Sequence, residues 1–209
     1  MRLCGYAVYL ASTPDCPDAP DAFYNPAADT DKARRRLPHW EQSEKFFFVT
    51  FRLADSLPQE VLRRLKEERA AWRAFHPEPW DEATEAEYYE KFHVRFEKFL
   101  DEGHGSCVLR EERICRIVHD ALRHFDGIRY RLACFAIMPN HVHVLLKTLG
   151  GHELSDVLFA WKSFTAHAMN RALGGRGQIW QHESWDRMIR SRAHFDRVVR
   201  YILDNPKGG

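Results

Sequence analysis

Apolar residues along this chain recur with two periods, and each period predicts its own elements. Phe46-Phe47-Phe48-Val49-Thr50-Phe51-Arg52-Leu53 is a continuous aromatic and β-branched run. It is too short for a helix and reads as a strand buried on both faces. Pro58 then opens a helix to about Phe75, with Val61, Leu62, Leu65 and Trp72 at helical spacing. A second helix is predicted from about Thr84 to Leu100, with Tyr88, Tyr89, Phe92, Phe96 and Phe99 on or near one face. Such an aromatic stripe is read as core. Gly103-His104-Gly105 ends this unit.

A third helix spans Glu111 to Phe125, with Ile114, Ile117, Val118, Ala121 and Leu122 in helical register. Asp126-Gly127 signals a turn. Ile128 to Met138 and Asn140 to Lys147 read as the two strands of an antiparallel hairpin, broken at Pro139-Asn140. A long helix follows from Glu153 to Leu173 and ends at Gly174-Gly175, a C-cap signature. Gln178–Trp180 and Ser184–Arg190 are short extended segments. The last helix runs from Ala193 to about Asn205, and Pro206 follows where a helix should stop.

This order is α+β with an antiparallel sheet. Alternating βα units are absent, as are GxGxxG and GxxxxGK[ST] loops, so a nucleotide-cofactor enzyme is a poor fit. Residues 1–44 read as a loosely structured N-terminal arm, with Pro14, Pro17, Pro20 and Pro26 in a stretch of Asp, Ala, Pro and Thr. Residues 45–209 read as one domain.

A net charge of +1 argues for no polyanion partner. The average hides an asymmetry. From Val157 onward nine Lys and Arg stand against four acids, whereas residues 1–100 carry fifteen basic and eighteen acidic side chains. The basic C-terminal quarter can meet phosphate, or can be a solvated surface of mixed charge. Arg34-Arg35-Arg36 before Leu37-Pro38-His39-Trp40 suits phosphate contact with base stacking, and equally an arm packed on the domain. The five cysteines are widely spaced with no CxxC pair, which argues against a disulfide framework or a cysteine zinc site. No apolar run approaches the roughly 18 residues of a spanning helix, and the N-terminus lacks a signal-peptide pattern. A cytoplasmic protein is expected.

The informative segment is Met138-Pro139-Asn140-His141-Val142-His143-Val144. Histidines two apart on a strand project from the same face. They are a natural divalent-metal pair, or simply two strand residues. A histidine-triad hydrolase would need a further alternating histidine, and position 145 is Leu. On the last helix Tyr201 and Asn205 are four apart and share a face.

Together these residues resemble the HUH motif and tyrosine helix of the single-tyrosine transposases, and most closely the REP-associated tyrosine transposase family. Further marks of that family appear in order: Trp161-Lys162-Ser163-Phe164-Thr165, Ile179-Trp180-Gln181, Ser184-Trp185-Asp186-Arg187, and Arg200-Tyr201-Ile202-Leu203-Asp204-Asn205-Pro206. The resemblance covers about residues 35–206. It implies a ferredoxin-like antiparallel sheet with helices on one face and the histidines on a central strand. It implies Tyr201 as nucleophile, His141 and His143 as ligands of Mg²⁺ or Mn²⁺, and Asn205 as a third ligand.

The activity implied is cleavage and rejoining of single-stranded DNA beside a REP-like hairpin, through a 5′-phosphotyrosine link. Candidate DNA contacts are Lys162, Arg171, Arg176, Arg187, Arg190, Arg200, Arg35 and Arg36, with Trp161 and Trp180 as stacking platforms. A monomer acting with its own tyrosine is expected. The segment of about 54–105 reads as a helical insertion. Its acids, among them Glu67, Glu68, Glu87 and Glu90, argue against broad phosphate contact there. The alternative is a hairpin-binding protein with a regulatory or defence role and no transposition.

Overall fold

The computed structural model of the chain describes residues 2–3, 6–11, 22–25, 31–34, 38–41, 44–77 and 80–205. Two short strands, β1 (Arg2–Leu3) and β2 (Tyr6–Leu10), come first, followed by a separate ribbon of β3 (Asp31–Arg34) and β4 (Pro38–Glu41). Then come β5 (Phe46–Arg52) and three helical pieces, α1 (Gln59–Phe75), α2 (Glu82–Tyr88) and α3 (Arg95–Asp101). A π-helical stretch, Tyr89–Val94, joins α2 to α3. The remainder is α4 (Glu112–His124), β6 (Tyr130–Ile137), β7 (His141–Thr148), α5 (Leu154–Leu173), β8 (Trp185–Met188) and α6 (Arg192–Asp204).

Among the described residues, the main sheet has six strands in the order β1-β2-β6-β7-β5-β8, all antiparallel. Within it, β5-α4-β6-β7-α5-β8 is the ferredoxin-like βαββαβ arrangement. The hairpin and the strand at Phe46 are where the sequence pattern puts them. β5 is buried along its whole length because both of its faces are covered.

Strand alternation divides the core. Phe47, Val49, Phe51, Phe135, Val142, Val144 and Leu146 pack with Ile114, Val118 and Leu122 of α4 and with Leu158 and Trp161 of α5. Phe46, Phe48, Cys134, Ala136 and Leu145 point the other way and pack with Phe195, Val198 and Ile202 of α6. A register shift at Leu132/Cys134 turns β6 by one residue, so neighbouring Ala133 and Cys134 both reach that second core. Gly174, at φ +65°, takes the left-handed turn that ends α5.

Two expectations are corrected. Helices on one face holds for α4 and α5, but α6 covers the opposite face, because Phe195, Val198 and Ile202 give it an apolar stripe of its own. Residues 6–10, assigned to a loose arm, form β2, which pairs with β6 from Ala7↔Ile137 to Leu10↔Cys134. The proline-rich composition downstream had masked this short alternating strand. Cys107, Cys115 and Cys134 are free thiols. Among the described residues no helix is long and apolar enough to cross a membrane.

Candidate active site

His141 and His143 leave β7 on the α6 side of the sheet, while Val142 and Val144 enter the other core. β7 lies between β6 and β5, so both imidazoles are completely buried. Their neighbours fix the protonated nitrogens. The Asn140 amide Nδ2 donates to the His104 carbonyl at 3.1 Å, which turns its Oδ1 to His141 Nδ1 at 2.7 Å. His141 Nδ1 must therefore carry the hydrogen. The Thr50 hydroxyl donates to Glu97 Oε1 at 3.2 Å, so at His143 Nδ1, 2.9 Å away, it accepts. His143 is again protonated at Nδ1. Both Nε2 atoms are left with lone pairs, and they face each other at 3.0 Å.

α6 supplies the second part. Ser191 caps its start by accepting from the His194 N–H at 3.2 Å. The stripe of Phe195, Val198 and Ile202 seats the helix on the sheet. That seating brings the Tyr201 ring edge-on to His143, with centroids 5.3 Å apart, and edge-on to Phe48 at 5.9 Å. One turn later, Asn205 donates from Nδ2 to the Tyr201 oxygen at 3.0 Å and lies 3.4 Å from His143 Nε2.

The helical insertion supplies the third part. His93, Glu97 and Asp101 follow one another at four-residue spacing and line one side of that segment. Glu97 is buried, with Oε1 2.9 Å from His93 Nε2 and 3.7 Å from His143 Nδ1. It also takes the hydrogen bond of the Tyr201 hydroxyl. Asp101 Oδ1 lies 3.8 Å from His141 Nε2, and its carboxylate hydrogen-bonds Asn205.

This packing decides the charge states. Burial, then the neighbouring imidazole, holds His141 well below its ordinary pKa; burial pulls His143 down to about 4. Burial opposes ionisation of Glu97, but His93, His143 and Tyr201 outweigh it and hold the carboxyl below the usual range. Burial and then Glu97 raise Asp101 to about 6. Burial, with the Glu97 and Asp101 carboxylates, pushes the Tyr201 phenol far above its ordinary value.

Two lone pairs held 3.0 Å apart repel unless a cation or a shared proton lies against both, and burial disfavours the proton. Two imidazole nitrogens each about 2.1 Å from one ion, at a right angle, lie roughly 3 Å apart. The pair thus fits a divalent ion, with the second nitrogens braced as metal-binding histidines require. A half-turn of the Asn205 amide brings its oxygen to the same place. Among the described residues, no three His, Cys, Asp or Glu side chains already converge into a closed ligand set.

The expected DNA contacts are scattered. Arg187 is brought near the tyrosine: its guanidinium lies 4.2 Å from the ring centroid of Tyr89, which in turn neighbours Tyr201. Arg190 stacks at 5.3 Å on Tyr24. Arg200 is exposed, with Nε on the Asp196 carbonyl at 3.3 Å. Lys162 Nζ donates to His182 O at 2.8 Å and Ser184 Oγ at 3.0 Å, bracing the segment before β8. Arg171 and Arg176 are exposed at the end of α5 and just after it, and α5 covers the other face of the sheet. Arg35 and Arg36 lie outside the described residues.

Trp161 and Trp180 are corrected from stacking platforms to core. They are 3% and 4% exposed, and their indole N–H groups are used internally, by Tyr130 OH at 2.9 Å and Thr165 Oγ1 at 2.8 Å. A base cannot stack on them without opening the α5 core.

Sequence reasoning missed Thr50, Glu97 and Asp101. It also missed Arg52, which pairs across the ladder with His141 and is lowered by burial to about 10. The available signal was the line His93, Glu97, Asp101, polar side chains at helical spacing among aromatics.

No protein-family model matches the chain, and no curated protein matches it. Among solved structures, the chain is similar to a REP-associated tyrosine transposase solved bound to a REP hairpin. That match has 15% identity and a TM-score of 0.45, covering 85% of this chain and 73% of the other. It is also similar to a protein from Deinococcus radiodurans R1 described as a transposase, at 16% identity and a TM-score of 0.35, covering 79% of this chain and 93% of the other.

Proposed function

We propose that this protein is a metal-dependent single-stranded DNA endonuclease and strand transferase of the tyrosine transposase kind, acting beside DNA hairpins. One observation carries the reading. Two facing imidazole nitrogens, an amide and a phenol, from elements far apart in sequence, meet on one face of the sheet.

Tyr201 is the nucleophile. Free phenol has a pKa of about 10 and attacks weakly at neutral pH. Here burial raises it further, so the surroundings must remove the proton as the bond forms. Glu97 already accepts that hydrogen in a hydrogen bond and is placed to take the proton. His141 and His143, with Asn205 turned over, would hold Mg²⁺ or Mn²⁺, which supplies polarisation of a scissile phosphate and fixes its orientation.

The tyrosine oxygen bonds to phosphorus, the bond from phosphorus to the 3′ oxygen breaks, and the phenol proton ends on that oxygen as a 3′-OH. Bond energy is kept in the phosphotyrosine, so rejoining needs no ATP. Arg187 beside Tyr89, with Arg190 and Arg200, gives the strand cationic contacts on this side of the molecule.

The test mixes the protein with single-stranded hairpin oligonucleotides from DNA flanking its own gene and Mn²⁺, then seeks a covalent band on a denaturing gel. The expected result is a band with the parent protein and none with Tyr201→Phe or His141→Ala. A band persisting in Tyr201→Phe would overturn the reading. Tight hairpin binding with no cleavage of any strand would favour a binding protein instead.

A further inference from the structure

We infer that Asp101, carried by the helical insertion, is the carboxylate ligand of the ion held by His141 and His143; this rests on the metal-dependent reading above. The need for an anion follows from the donor set. An imidazole ligates through a neutral ring and the Asn205 amide is uncharged, so the three bring no negative charge to a hard divalent cation that favours carboxylate oxygen.

Two carboxylates are near, and geometry separates them. Glu97 approaches His143 at Nδ1, the edge turned away from the facing nitrogens, and its carboxylate already serves Thr50, His93 and Tyr201. Asp101 instead approaches the open Nε2 of His141, at 3.8 Å. Donor atoms about one ion lie roughly 3 to 4 Å from one another, so this oxygen is at the right range. It also bonds Asn205, the other donor on that side.

The position of Asp101 in its helix points the same way. It is the last residue of α3, where the helix dipole presents negative charge and an acid is unfavourable unless a cation is close. Its side chain is 41% exposed, enough freedom to rotate onto an ion without disturbing packing.

Mn²⁺ binding to the DNA-free protein, followed by the electron paramagnetic resonance of the free ion, tests this. The set is the parent protein, Asp101→Asn, Asp101→Ala and His141→Ala, each checked for folding by circular dichroism. The expected result is affinity weakened by at least about tenfold in both Asp101 variants and abolished in His141→Ala. Affinity for Mg²⁺ should fall further than affinity for Ni²⁺, because imidazole alone still suits nickel. Equal loss for every divalent ion would make Asp101 a nearby charge and not a ligand. Unchanged Mn²⁺ affinity in Asp101→Asn, with binding lost in His141→Ala, would overturn the inference and leave the metal reading standing. Mn²⁺ binding unaffected by His141→Ala would overturn both.

Discussion

Replacing Thr50 with valine probes the logic of the histidine pair without touching either histidine. Valine matches threonine in shape, and position 50 is 3% exposed, so the change removes one hydroxyl and little else. That hydroxyl accepts from His143 Nδ1 at 2.9 Å and donates to Glu97 at 3.2 Å. Glu97 keeps His93 and Tyr201 as partners, but the His143 Nδ1–H loses the Thr50 acceptor, and the Glu97 oxygen is 3.7 Å away. An orphaned buried donor costs about 1–3 kcal/mol. The folded state can recover part of it by moving the proton to Nε2, which removes a lone pair from the metal side.

Two effects should therefore appear together. Melting temperature without metal falls by roughly 2–4 °C per kcal/mol lost. Divalent affinity, read by calorimetric titration with Mn²⁺, falls about 10- to 100-fold, or roughly 1.4–2.7 kcal/mol. Thr50→Ser, which keeps the hydroxyl, should restore most of both. A Thr50→Val protein that binds Mn²⁺ as tightly as its parent would refute the reasoning that this hydroxyl fixes the His143 tautomer.

Glu97→Gln should slow formation of the covalent DNA adduct by about 10²- to 10⁴-fold while leaving hairpin affinity by fluorescence anisotropy in place; an adduct formed at the parental rate denies Glu97 a part in proton removal. Trp161→Ala and Trp180→Ala should each cost about 3–5 kcal/mol in urea denaturation, and a stable variant with weakened DNA binding would restore the stacking role. Arg187→Ala should weaken single-strand binding and reduce the salt slope by about 1, whereas Arg171→Ala on the far face should change neither. His194 is lowered from 6.5 to about 4 by burial, then by Arg187, Arg197 and Arg190. Between those values the unfolded chain binds more protons than the folded one, so stability should decline as pH falls through this window. His194→Gln should flatten that decline in melting curves taken from pH 7 to pH 4.

Regular elements were legible in the sequence because their burial is one-sided or complete, and both leave a period. Phe46–Arg52 and the hairpin at Pro139-Asn140 are of this kind, and so are the apolar stripes of α4 and α6. The histidine pair was legible because two residues on one strand share a face whatever surrounds them. Tyr201 and Asn205 were legible because one helical turn separates them. What stayed hidden needed long-range contact. Thr50 reaches His143 across a ladder of sequence separation 93, and nothing local marks a threonine inside a phenylalanine run as a tautomer switch. The tryptophans misled because aromatics beside cations look alike whether they face DNA or the core. Only the packing of the two cores decides, by putting α5 on the face away from Tyr201.

The insertion is where sequence logic and structure part most sharply. Its acids weigh against phosphate contact, and taken as a whole the segment looks accessory to the core. Yet the core gives the site an imidazole pair and an aromatic wall, and the negative charge against the histidines comes from the insertion. Glu97 and Asp101 supply that charge, and His93 and Trp185 stack at 4.5 Å to join the insertion to β8. Trp72, Tyr88 and Phe92 continue that apolar joint outward, with Trp185 packed against them. Their acidity is then no obstacle to a polyanionic substrate. On the proposed reading, Asp101 on a divalent ion would offset part of its charge, and a phosphate would meet the cation and Arg187. On the proposed mechanism, removing residues 59–101 would take away the Asp101 ligand and the Glu97 proton acceptor, and would bare Trp185 and Phe48. The shortened chain would thus keep every residue of the recognisable motif and lose the chemistry.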